Sequence, residues 1–122
     1  MNGNMLEQKE QCDRKGDGLI LTKRLIGAIR RRKTWFINKL PKEEEKEYAN
    51  EILERYLKMF KVMTVSEFEL MKEIVYQEVL KFRLRILMDT VIDGHVYHFH
   101  VKTLHILEDK ILTYQKKLGI GI

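Results

Sequence analysis

Proline is nearly absent from this 122-residue chain: Pro41 stands alone, with seven glycines scattered around it. That leaves a turn-rich all-β fold too little material for its corners. Cysteine is equally scarce. Cys12 by itself can close no internal disulfide and build no cysteine zinc cluster, which points to a reducing compartment. No run of apolar residues approaches the roughly 18 that a membrane span requires. The N-terminus lacks the apolar centre of a secretory signal. A soluble, cytoplasmic protein with no membrane partner is expected.

Acid is missing where base is concentrated. Residues 1–40 hold ten Lys or Arg against four Asp or Glu, whereas residues 41–122 hold 13 against 14. Within residues 19–40 there are seven basic side chains and no acid at all. Such asymmetry marks a polyanion-facing segment on an otherwise neutral body. At 44% hydrophobic and 34% charged residues, the chain is one domain's worth of protein. A chain of this size buries about two-thirds of its unfolded surface.

What is present has helical periodicity, so the fold class predicted is all-α, a bundle of about four helices with a C-terminal antiparallel hairpin. Residues 1–18 are polar and aperiodic and read as a flexible N-terminal tail. Residues 19–122 read as a single helical domain, with a basic part at 19–62 and a hairpin for oligomerisation at 63–122. Leu25, Ile29, Phe36 and Leu40 predict one helix over 21–40, with Lys23, Arg24, Arg30 and Arg31 on its opposite side. Pro41 ends it and can open the next. That second helix is expected over 42–61. Glu43, Glu44, Glu45 and Glu47 sit at its start, where the dipole favours negative charge, and Ala49, Ile52, Leu53, Tyr56, Leu57 and Phe60 form its buried face.

Two overlapping capping boxes, Thr64 with Glu67 and Ser66 with Glu69, start a third helix that runs to about Val91. Its stripe of Phe68, Met71, Val75, Val79, Phe82 and Ile86 is widened by Leu70, Ile74, Leu84 and Leu87. This covers more of the circumference than one neighbour can bury. The stripe is the candidate oligomerisation surface. Asp93 and Gly94 break the pattern, and Val96, Tyr97, Phe99 and Val101 fit a short β-hairpin or a tight loop. A last helix carrying Leu104, Leu107, Ile111 and Leu118 stops after Lys116 and Lys117 at Gly119.

No catalytic residue and no cofactor is expected. His95, His98, His100 and His105 cluster within eleven residues, but no two are four apart and no carboxylate has an obvious place as third ligand, so no metal is assigned. Cys12 has no neighbouring base, Ser66 is occupied as a cap, and Gly16 and Gly18 lack the rest of a phosphate-binding loop. The functional signal is the basic segment. Lys23, Arg24, Arg30, Arg31, Arg32 and Lys33 are the candidate nucleic-acid-binding residues, followed by Trp35 and Phe36 as core or stacking aromatics.

The segment from Glu67 to Ile120 carries a further pattern. Glu69-Leu70-Met71, Ile74-Val75, Glu78, Leu80 and Arg83 are followed by the Asp93-Gly94 turn. His100-Val101-Lys102 then leads through Leu104, Leu107 and Ile111 to Lys117-Leu118-Gly119-Ile120. This resembles the helical hairpin of the small terminase subunits of tailed bacteriophages. The resemblance implies a homo-oligomeric ring that selects viral double-stranded DNA in the host cytoplasm and passes it to the large terminase subunit. It departs from that pattern in having no evident helix-turn-helix in its first 60 residues. Two other readings stay open: a nucleic-acid-binding regulator or coating protein of a virus or mobile element, and an inhibitor or adaptor that offers its basic helix to an acidic protein.

Overall fold

The structure, a computed structural model of the chain, describes residues 19–60 and 63–120; the expected tail at 1–18 lies outside them. Among these residues are four helices, α1 (Lys23–Arg30), α2 (Glu43–Leu57), α3 (Val65–Thr90) and α4 (Gly94–Lys117). One 3₁₀ turn, Phe36–Lys39, and two strands of two residues each, β1 (Ile20–Leu21) and β2 (Met63–Thr64), complete the order. The fold is all-α, as the periodicity requires. No helix of the described residues is long and apolar enough to cross a membrane.

The helix expected over 21–40 is not continuous. Ile20 and Leu21 instead pair antiparallel with Thr64 and Met63, and α1 ends at Arg30. Geometry explains the break. In an unbroken helix Trp35, nine residues after Ile26, would point to the opposite side, while Lys33 would follow Ile26 into the core. Ending the helix lets Ile26, Trp35, Ile37 and Leu40 all reach the interior. Leu25, expected on the buried side, is half exposed, and Ile26 takes its place. Trp35 stacks on Phe68 of α3 at 5.6 Å between ring centres and meets Phe36 edge-on at 4.8 Å, contacts worth about 1 kcal/mol each beyond burial.

α3 begins at the first of the two expected capping boxes, with Ser66 inside the helix rather than capping it. The Thr64 hydroxyl accepts from the Glu67 backbone N–H at 3.0 Å, and the Glu67 carboxylate accepts from the Thr64 N–H at 2.8 Å. α4 does not begin as expected. The stretch read as a hairpin or loop is helical from Gly94, because Asp93 Oδ1 accepts from His95 N at 2.8 Å and Val96 N at 3.2 Å. Asp93 is thus a helix cap rather than only a breaker, and three residues, 91–93, join α3 to α4. At the other end Gly119 adopts φ 79°, and Gly119 N and Ile120 N donate to the carbonyls of Lys116 and Gln115. This closure needs a left-handed residue, which glycine supplies without strain.

One hydrophobic cluster runs from Ile26 through Trp35, Leu53, Met71 and Val79 to Leu118. The two parts distinguished in the sequence, 19–62 and 63–122, therefore share a single core. α2 lies antiparallel to α3, with Tyr48 stacked on Phe82 at 4.7 Å near the start of α2. Beside that stack, Arg83 donates two hydrogen bonds to Glu45, at 2.8 and 2.9 Å. Glu45 is almost fully enclosed, although it stands in the acidic run that opens α2. Arg83 holds its carboxyl below the ordinary 4.5 despite the opposing effect of burial. α4 is fastened to α2 by Gln115 Nε2 donating to Tyr56 Oη at 2.7 Å.

Lengths decide what protrudes. At 1.5 Å per residue α3 spans about 39 Å and α4 about 36 Å, whereas α2 spans only about 22 Å. Because α2 starts beside Phe82 and Arg83, the hairpin beyond residue 84 extends past it as an arm formed by α3 and α4 alone. Leu84 and Leu107 are buried between these helices, and Glu108 is approached by Lys81 and Arg85 of α3 and by His105.

Candidate nucleic-acid interface

The basic residues are displayed by the break that ended α1. Its N-terminus is capped by the Thr22 hydroxyl, which accepts from Leu25 N at 3.1 Å, and the first turn carries Lys23 and Arg24 with no acid. Two cations at a helix N-terminus add to the positive end of its dipole rather than cancel it. This is unfavourable for folding and favourable for attracting an anion. At the C-terminus the chain turns through Arg31, Arg32 and Lys33, all exposed.

That turn is a built feature. The Asn38 side-chain amide donates to the carbonyls of both Arg30, at 2.9 Å, and Arg32, at 2.8 Å. Trp35 N also donates to Arg32 O at 3.1 Å, and Asn38 N to Trp35 O at 2.9 Å. A single side chain therefore ties both ends of the basic turn, and the buried indole beside it anchors the whole to the core. Asn38 carried no signal of function in the sequence. Its preference for hydrogen-bonding nearby backbone, where a helical pattern fails, is the one clue that marks it.

The six candidate binding residues divide into two groups. Among the described residues, Lys23, Arg24, Arg31, Arg32 and Lys33 form no ion pair. Arg30 is different: it meets Glu54 of α2 at 2.7 Å and donates to Asn50 at 3.3 Å, and its side chain is only 24% exposed. Its first task is to lash α1 to α2. The aromatics are equally decided. Trp35 is 5% exposed and Phe36 is half-buried, so among the described residues no fully exposed aromatic ring stands beside the basic turn for an unpaired base to stack on.

The candidate oligomerisation residues also divide. Phe68, Met71, Val75 and Val79 lie in the chain's own core, and Phe82 is half-buried against Tyr48. α2, the 3₁₀ turn and the end of α4 together cover a stripe that looked too wide for a single chain. Phe68, Met71, Val75 and Val79 consequently offer no subunit surface, and Ile86 alone of the six is exposed. The apolar surface lies further out. Seven of the thirteen exposed large apolar residues among those described fall within 86–106, with Ile92 at 99% and Phe99 at 65% exposure. Val96, Phe99 and Ile106, spaced by three and seven, share one face of α4.

With 94–117 helical, His95, His98 and His105 fall together on the solvent side of α4, while His100 is half-buried. Among the described residues no group of three or more His, Cys, Asp or Glu is placed to hold a metal ion. Comparison of the chain with family models, curated proteins and solved structures gives no match.

Proposed function

We propose that this chain is a non-enzymatic, self-assembling subunit that binds double-stranded DNA through the basic turn, as the DNA-recognition component of a phage packaging terminase would. The observation that carries the reading is the Asn38-tied turn, which presents Arg31, Arg32 and Lys33 free of ion pairs among the described residues. Cations held in place and left unneutralised are suited to phosphate, and binding releases the counterions condensed on the duplex. The lack of a fully exposed aromatic beside the turn, among the described residues, favours a paired backbone over a single strand. Arg30 contributes by holding α1 in position. Self-assembly is assigned to the projecting arm, whose exposed Ile86, Ile92, Val96, Phe99 and Ile106 are rich in apolar surface for a free chain. The large terminase subunit, as a further partner, follows from the hairpin resemblance alone.

Fluorescence polarisation with a labelled duplex, at salt rising from about 50 to about 200 mM, tests the DNA reading. Affinity should fall steeply, and the double variant Arg31→Glu/Arg32→Glu should lower the log–log salt slope by about two. Binding that ignores salt, or survives the double reversal, would falsify this reading. A single strand bound more tightly than the duplex would replace the proposed target.

A further inference from the structure

Between α1 and the end of α2 lies a half-open groove of about 500 Å³, distinct from the basic turn although Lys23 and Arg30 line it. Leu21, Ile26, Leu57, Phe60 and Met63 give it an apolar lining. Its charged residues are Lys23, Arg30, Lys58 and Glu54, and the single acid is already taken by Arg30 at 2.7 Å. Lys23 and Lys58 are exposed and form no ion pair among the described residues. The groove thus combines an apolar bed with two ammonium groups unpaired among the described residues, and its volume falls within the roughly 300–1,000 Å³ usual for small-ligand sites.

Gly27 provides an independent pointer. A glycine inside a helix costs about 1 kcal/mol relative to alanine, a heavy charge on a helix of eight residues. No close packing demands it: a Cβ there would meet only the Arg31 guanidinium, at 3.4 Å. Yet Gly27 lines the groove, and the missing side chain leaves that stretch of wall bare.

We propose that this groove is a binding site for a small amphipathic carboxylate. The aliphatic portion lies on the Leu21, Leu57 and Phe60 surface, and the carboxylate is met by the ammonium groups of Lys23 and Lys58. The charge selects an anion, and the apolar lining rejects one that is fully hydrated, such as inorganic phosphate. The same chemistry occurs in a free fatty acid and at an anionic lipid surface; the volume of the groove accommodates the former as a single molecule. This assignment stands whether or not the basic turn binds DNA.

The test titrates dodecanoate, kept below its micelle concentration, into the full chain by isothermal calorimetry, with dodecanol and phosphatidylglycerol vesicles in parallel. Saturable one-to-one binding of dodecanoate is expected, with dodecanol weaker. Gly27→Leu should weaken dodecanoate about tenfold or more while the thermal midpoint is unchanged or raised, since leucine is the better helix former. Lys58→Gln should weaken dodecanoate severalfold and leave dodecanol alone. No saturable binding by the wild-type chain at about 1 mM ligand overturns the proposal. So does equal binding by Gly27→Leu, or vesicle binding without binding of free dodecanoate. Should Gly27→Leu fail to fold, indifference of the affinity to Lys58→Gln would serve as the overturning result.

Discussion

The two ends of α3 carry similar side chains and meet opposite fates. At the first end Phe68, Met71, Ile74, Val75 and Val79 are sealed, the last four completely so. Beyond Leu84, residues of the same character, Ile86 and Leu87, are half in water, and across the connection so are Val96 and Phe99. The distinction is one of neighbours: α2 and the Trp35 segment enclose the first end, while only α4 accompanies the second. The closed end holds the fold, and the arm retains apolar surface that the fold does not use. Equal hydrophobicity therefore carries unequal energy, and substitutions can measure the difference.

The largest effect belongs at the closed end. Met71→Ala should cost about 3 kcal/mol and lower the denaturant midpoint sharply, by lost transfer energy plus an unfilled cavity. If it unfolds no more easily than the wild type, the enclosure described for α3 is wrong. Next comes the boundary between the regions. Glu45→Gln removes the charge that binds Arg83 and should cost about 2 kcal/mol, less than a fully buried pair because over a third of the Arg83 side chain remains in water. Its pH signature is distinctive. Folding lowers the Glu45 pKa, so its contribution is complete above the ordinary 4.5 and is lost as pH falls through the lowered value. Urea melts between neutral and acid pH should show the wild type losing that increment and Glu45→Gln lacking it throughout.

Asn38→Ala should cost about 1 kcal/mol by untying the Arg30 and Arg32 carbonyls, and should weaken duplex binding although no charge is removed. A loss of stability with unchanged binding would separate the turn's shape from its function. The smallest effect on folding belongs to the arm. Phe99→Ser with Ile92→Ser should change chain stability by no more than about 0.5 kcal/mol, yet shift the sedimentation profile toward monomer. A large thermal destabilisation without a change in assembly would make the arm part of the core and erase the contrast.

Much of this was legible residue by residue. The Thr64–Glu67 box, the Gly119 stop and the buried face of α2 are local devices whose physics lies within a few neighbouring residues, and each stands where the pattern placed it. The long helix over 21–40 failed because its apolar spacing matched a wheel while the demand to bury both Ile26 and Trp35 did not. The run from Val96 to Val101, rich in β-branched and aromatic side chains, was misread in a related way. Strand propensity is weak beside an Asp93 cap and a helix to pack against. At the candidate interface the sequence located the cations, and only the fold separated Arg30, engaged with Glu54, from Arg31 and Arg32, which have no ion pair among the described residues.

By itself, then, the sequence determined the helical class, most helix ends and the concentration of positive charge before Glu43, because periodicity, capping and charge act over one or two turns. Tertiary structure decided which apolar residues became core, which arginine became a fastener, and that Asn38 would hold the basic turn. Those outcomes depend on partners 20 or more residues away, as between Arg30 and Glu54, or on a change of chain direction, as at Asn38. Neither leaves a mark in local spacing.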